Sequence, residues 1–411
     1  MNQSITEPIA TSTAEPSPGG PRFQGSAGAV VIGGDYQGLG IVRSLGRHGV
    51  PVCIIDDEHS IARFSRYSTH AVSASDLRDE ARTVETLLDT GRRLKLQGWV
   101  LFPTRDETVA ALSRHRSCLQ EIFCVPTPPW STIECAWDKR ETYRLARELG
   151  IPTPQMWRAD AVDQLRALDI RFPVAVKPAI KEHFFYATKA KAWRANNWAE
   201  LEELFARAAA HMGAAEVILQ DLIPGDGRQQ FAYCAFFDRG ESVGSMVVRR
   251  ARQHPPEFGR ASTFVETTEN ELLEEMSARF LKAIDYYGLV EMEYKRDPRD
   301  GQFKLLDVNA RTWGYHTLGF EAGVDFPWLL YCDQIQLPVE PRRARPGVSW
   351  IRMATDLPTA VSELCRGRLR WRDYWRTLRS ASADAVFSLA DPLPGIAELA
   401  LIPYLAVKRG F

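Results

Sequence analysis

The segment that decides the fold is Gly288–Gly314, GLVEMEYKRDPRDGQFKLLDVNARTWG. Glu291 and Glu293 alternate with Val290 and Met292, so both carboxylates share one face of a strand. The run RDPRDG, Arg296–Gly301, is a turn signal. The strand that follows puts Asp307, Asn309 and Arg311 at period two, again on one face. A hairpin therefore brings Glu293 opposite Asp307 and Asn309, with Arg311 beside them. Asn is a poor strand residue, and an Asp and an Asn inside an otherwise apolar strand imply a purpose other than packing. Converging hard oxygens suit Mg²⁺, which takes a few carboxylates plus phosphate oxygens, and Mn²⁺ suits the same donors. An arginine alongside suits a phosphoryl group in transfer. The alternative, a solvated sheet face of alternating charge, is common in antiparallel sheets.

Working backward from this hairpin, FPVAVKP (Phe172–Pro178), EVILQDLIPG (Glu216–Gly225) and QQFAYCAFFDRGESVGSMVV (Gln229–Val248) read as strands. Asn197–Met212 and Asn270–Gly288 read as helices between them, which gives an antiparallel α+β region. Lys177 closes its strand before Pro178, which favours extended geometry there. Further back, AVVIGG, GLGIVRSLGRHG and VPVCIIDD read as strand, helix and strand, and Gly98–His115 repeats the pattern. Residues 27–135 thus read as a doubly wound, Rossmann-like α/β domain. Its glycine turn, GGDYQGLG, with Asp56 ending the next strand, admits an NAD-dependent oxidoreductase. The glycines at 34, 38 and 40 depart from the dinucleotide spacing, and a substrate-facing or purely architectural turn fits equally.

With 411 residues the chain is long enough for two or three domains. Apolar content of 45% and charged content of 25% are those of a soluble globular protein, and a net charge of −1 argues against a general nucleic-acid binder. Seven cysteines without a CxxC pair suggest reduced thiols and a cytoplasmic setting. Residues 1–26, rich in Ser, Thr, Pro and Gly, read as a disordered tail without the features of a signal peptide. No apolar run is long enough to span a bilayer. The terminal ELALIPYLAVKRGF is apolar with a basic end, so peripheral membrane contact is open, although packing on its own domain is the expectation. RGRLRWRDYWRTLR, Arg366–Arg379, reads as a basic helix with its tryptophans packed inward.

In order along the chain, these segments resemble the ATP-grasp superfamily of carboxylate–amine and carboxylate–thiol ligases, over roughly residues 29–335. The paired strands are similar to that family's metal strands, with Asp307 where Glu is usual. The resemblance implies an ATP-grasp fold of α/β and α+β parts. A preATP-grasp domain would span 27–135 and an ATP-grasp domain 136–340, divided into a lid (about 155–215) and a metal-strand part (about 216–340). A helical extension would follow from 341 to 411. The closest flavour is that of uncharacterised ligases of the D-aspartate ligase type.

The resemblance also implies roles. Lys139, from DKRETYRLARELGIPTP, and Lys177 would reach the nucleotide phosphates. Gln220, Asp221 and Leu222 would form the adenine hinge, with Asp226 at the ribose. Glu293, Asp307 and Asn309 would hold Mg²⁺, while Arg311, Arg252 and Arg249 would face the transferring phosphoryl group and the substrate carboxylate. The implied activity is an ATP-dependent amide ligation through an acyl phosphate. Its substrates are small, the acceptor being an amino acid or another amine, and a homodimer is expected. NAD-dependent oxidation and non-catalytic nucleotide binding are the rivals. One departure concerns the loop after Lys177, which lacks the glycines that usually close over phosphates. Here Lys181, His183, Phe184, Phe185 and Lys189 stand instead, suggesting a side-chain grip with the phenylalanines as a lid.

Overall fold

The computed structural model describes residues 27–180, 184, 188, 190–255, 259 and 261–409, with side chains as far as Tyr404. The 1–26 tail and Lys181, His183, Phe185 and Lys189 lie outside the described residues.

Three sheets organise the chain. The first holds β1 (Ala29–Ile32), β2 (Val52–Asp56), β3 (Ser68–Ser73) and β4 (Val100–Pro103) in the order β3-β2-β1-β4, every pair parallel. β1 and β2 are buried along their whole length, as expected of strands covered on both faces. The second comprises β5 (Met156–Trp157), β6 (Val174–Pro178), β7 (Trp193–Ala195) and β8 (Val217–Asp221), ordered β5-β8-β6-β7 and antiparallel. β8 lies inside this sheet, beyond residue 215, where the lid was expected to end.

The third and largest sheet carries β9 (Gln230–Asp238), β10 (Glu241–His254), β11 (Ala261–Thr268), β12 (Gly288–Arg296), β13 (Phe303–Asn309), β14 (Arg342–Arg343), β15 (Ser349–Ile351) and β16 (Ala381–Asp384). Its order is β13-β12-β9-β10-β11-β15-β16, with β14 beside β10. The segment from 341 onward was expected to be helical. It also supplies strands, because β15 and β16 extend this sheet past β11. One sheet face packs Tyr233, Phe237, Val247, Met292 and Tyr294 against the helix Glu271–Ala283. The opposite face packs Cys234, Met246 and Val248 into a core continuous with the first sheet through Val31, Phe102 and Trp313. That continuity holds the glycine-turn domain against the face on which the acidic residues lie.

All seven cysteines are free. No helix among the described residues is long and apolar enough to cross a membrane. The terminal helix, Leu393–Arg409, continues through Pro403. The basic helix departs from expectation in another way. Trp371 and Trp375 are 61% and 45% exposed, and the aromatic ring that packs inward is Tyr374. Phe184 is fully buried against Trp193 in the lid core, which makes it a packing residue and not a closing flap.

Candidate functional site

The register of the large sheet decides which side chains meet. Glu291 pairs with Asn309 and Glu293 with Asp307 across β12 and β13, so all four share a face, as the hairpin reading required. Across β9, Glu293 faces Ala232, which faces Val248 on β10. Arg250, two residues on, lies on that same face, and its guanidinium is 3.4 Å from Glu293 Oε2. Arg249 faces Phe231, on the opposite side. There it pairs with Glu266 at 3.0 Å, half in solvent, an arrangement worth no more than about 1 kcal/mol. Arg249, expected at the site, therefore lies away from the cleft, and Arg250, which was not singled out, lines it.

A cleft of ≈ 1190 Å³ opens between the lid sheet and this face. Lys139, Lys177, Glu293 and Asp307 line it, together with the Gln220–Asp226 stretch and Arg252. Lys139 begins the helix Lys139–Glu148, which Asp138 caps by accepting from the Arg140 N–H. Lys139 Nζ donates to Asp307 Oδ1 at 2.8 Å. Lys177 ends β6 at 3.5 Å from the Tyr143 hydroxyl. Burial, and then the charge of Lys139, push its ammonium down to about 7. Tyr143 is buried and also donates toward Gln220 Oε1 at 3.0 Å, tying β8 to Lys177.

The remaining expected residues fall into place unevenly. Gln220 is buried in β8, and Asp221 and Leu222 run from it along the cleft wall. The Asp221 carboxylate is paired with Arg299 of the β12–β13 turn, so its side chain anchors the hinge to the acidic hairpin. Asp226 lines the cleft and pairs with Arg228. Asn309 donates its amide to Glu291 Oε2 at 3.1 Å and Glu293 Oε1 at 3.3 Å, while its oxygen accepts from Arg311. In this arrangement the Asn309 amide ties the two glutamates to Arg311. Arg311 is held bidentately by Asp106, at 2.7 and 3.2 Å, and does not line the cleft. Arg252 lines the cleft with both carboxylate oxygens of buried Asp356 on its guanidinium, at 2.8 and 2.9 Å, and donates to Thr377. The C-terminal segment thus builds part of the cleft wall, through Thr359, Glu363, Arg368, Asp373 and Thr377.

Among the described residues no three acidic, histidine or cysteine groups form a metal cage on their own. Glu293 and Asp307 face each other, and a pair of carboxylates so placed would suit a Mg²⁺ ion. Lys139 and Arg250 now hold these carboxylates.

The glycine turn is closed from within. Gly34 N–H donates to Asp56 Oδ2 at 2.7 Å, and Arg105 bridges Asp56 and Asp57. The acid that would bind a dinucleotide ribose is committed to the turn itself. A side chain at Gly33, whose φ is +95°, would collide with Thr104.

No family model matches the chain. It is 25% identical over 299 residues to a D-aspartate ligase of Enterococcus faecium, spanning 69% of this chain and 70% of that one. The L-amino acid ligase from Bacillus licheniformis superposes with a TM-score of 0.60 at 17% identity, covering 79% of this chain and 78% of that one. The ADP complex of N5-carboxyaminoimidazole synthetase from Staphylococcus aureus gives 0.63 at 13% identity, covering 84% and 87%. The mixed parallel and antiparallel architecture is that of ATP-grasp proteins, as the sequence resemblance implied.

Proposed function

We propose that this chain, an ATP-grasp ligase by fold and by its likeness to D-aspartate ligase, joins a small carboxylate to an amine and releases ADP and phosphate. The observation that carries the reading is the convergence of Lys139, Lys177, Glu293 and Asp307 on one cleft beside the Gln220–Asp226 hinge.

A substrate carboxylate oxygen attacks the γ-phosphorus. The bond from phosphorus to the β–γ bridging oxygen breaks, and ADP leaves with the electron pair. The amine nitrogen adds to the acyl carbon, the bond to phosphate breaks, and the amine proton passes to phosphate or water. Lys139 and Lys177 neutralise phosphate charge, the latter gaining its proton as the nucleotide arrives. Arg250 and Arg252 stabilise the transferring group and the acyl phosphate. Asp356 holds Arg252 in its aim, and Asn309 fixes the glutamates. Mg²⁺, where Glu293 and Asp307 would hold it, supplies further positive charge to the nucleotide phosphates.

Thermal denaturation with ATP–Mg²⁺ and with NAD tests the reading. A ligand at a hundredfold its Kd adds about 2.7 kcal/mol. Stabilisation by ATP–Mg²⁺ alone is expected, and stabilisation by NAD alone would reject it.

A further inference from the structure

Eleven of the sixteen exposed large hydrophobic side chains among the described residues lie between Leu357 and Tyr404. Leu357, Val361, Trp371 and Trp375 belong to the helices Met353–Cys365 and Trp371–Ser380. Leu393, Ile396, Leu399 and Ile402 follow on the terminal helix, exposed, while Glu398 on that helix is buried against Arg352. Trp371 and Trp375 stack one turn apart, and Arg379 lies over the Trp375 ring at 5.3 Å. Between them, Arg366–Arg379 holds six arginines against one acid, Asp373, in a chain whose net charge is −1. The opposite side of the same helix is engaged: Tyr374 is buried and Thr377 accepts from Arg252.

We propose that this C-terminal segment docks on an anionic lipid bilayer through these exposed side chains, lying in its interface. Arg366 and Arg368 reach Glu363 at 3.8 and 3.7 Å and Arg376 reaches Asp373 at 3.2 Å, and the excess of positive charge beyond these pairs is complementary to an anionic surface. The apolar component selects among negative partners. Exposed tryptophans and aliphatic side chains flanked by arginines match the boundary between headgroups and acyl chains. A nucleic acid offers nothing to Leu357, Val361, Leu393 or Ile396. A second copy of the chain would bring arginines against arginines, which the like charges oppose. Because Asp373 and Thr377 line the cleft from this helix, docking places the cleft wall next to the membrane surface.

Co-sedimentation of the full chain with vesicles tests the proposal, using phosphatidylcholine alone and phosphatidylcholine mixed with phosphatidylglycerol. Binding to the mixed vesicles only is expected. Arg372→Gln with Arg379→Gln weakens it about 25-fold, at about fivefold per arginine, and Trp371→Ser with Trp375→Ser abolishes it. All four side chains lie on the surface, so the unfolding midpoints stay near that of the parent. Failure to bind mixed vesicles, or equal binding to neutral ones, overturns the proposal. So does binding to heparin or RNA as tight as to vesicles and indifferent to the tryptophan substitutions, which would mark the face as a polyanion site.

Discussion

Lys139 Nζ sits 2.8 Å from Asp307 Oδ1, joining the start of one helix to a strand 168 residues away. Both groups line the cleft, and each compensates the charge of the other. Asp307→Ala is expected to lower ADP formation by at least about a hundredfold. The double variant with Lys139→Met should fall little further, since the two share one site. Steady-state ADP release checks both, with circular dichroism verifying the fold.

Lys177 gives a pH dependence of definite sign. Its ammonium is held near 7 without ligand, and bound polyphosphate raises it. Nucleotide binding should therefore take up a proton above neutrality, and affinity should fall as pH rises beyond 7, by at most about tenfold per unit. Calorimetry in buffers of different ionisation enthalpy measures the uptake. Lys177→Met should abolish it and weaken nucleotide binding.

Arg249 and Arg250 are neighbours in sequence and opposites in the sheet. Arg250→Met should cost turnover about 10²-fold or more, by removing a positive charge beside Glu293. Arg249→Met, which removes the exposed pair with Glu266, should leave kcat within about twofold. Equal losses in the two variants would contradict the register.

Asp356 is fully buried, with Arg252 as its bidentate partner. Asp356→Ala leaves the arginine uncompensated and should destabilise the protein by about 3–5 kcal/mol, read from chemical denaturation. Arg252→Met with Asp356→Leu should recover most of that stability while activity stays low. Recovery of both would show Arg252 to be a structural residue.

Much of this site was legible because its signals are local. Alternation placed Glu293 opposite Asp307, and strand-end chemistry singled out Lys177 before Pro178. The order of hinge and hairpin carried the fold. What was hidden depended on distant partners. Arg311 meets Asp106 from 205 residues away and Arg252 meets Asp356 from 104, and no spacing announces either. The choice between Arg249 and Arg250 needs sheet parity across three strands. The inward expectation for Trp371 and Trp375 failed because one aromatic, Tyr374, suffices to seat that helix.

The central claim is that ATP activates a carboxylate in the Lys139–Asp307 cleft. Trapping with hydroxylamine tests it most directly, with ATP–Mg²⁺ and a panel of amino acids. The account predicts a hydroxamate formed in step with ADP and phosphate and lost in Asp307→Ala. Tight ATP–Mg²⁺ binding with neither hydroxamate nor ADP from any carboxylate in the panel would contradict it, leaving a nucleotide-binding protein without this chemistry.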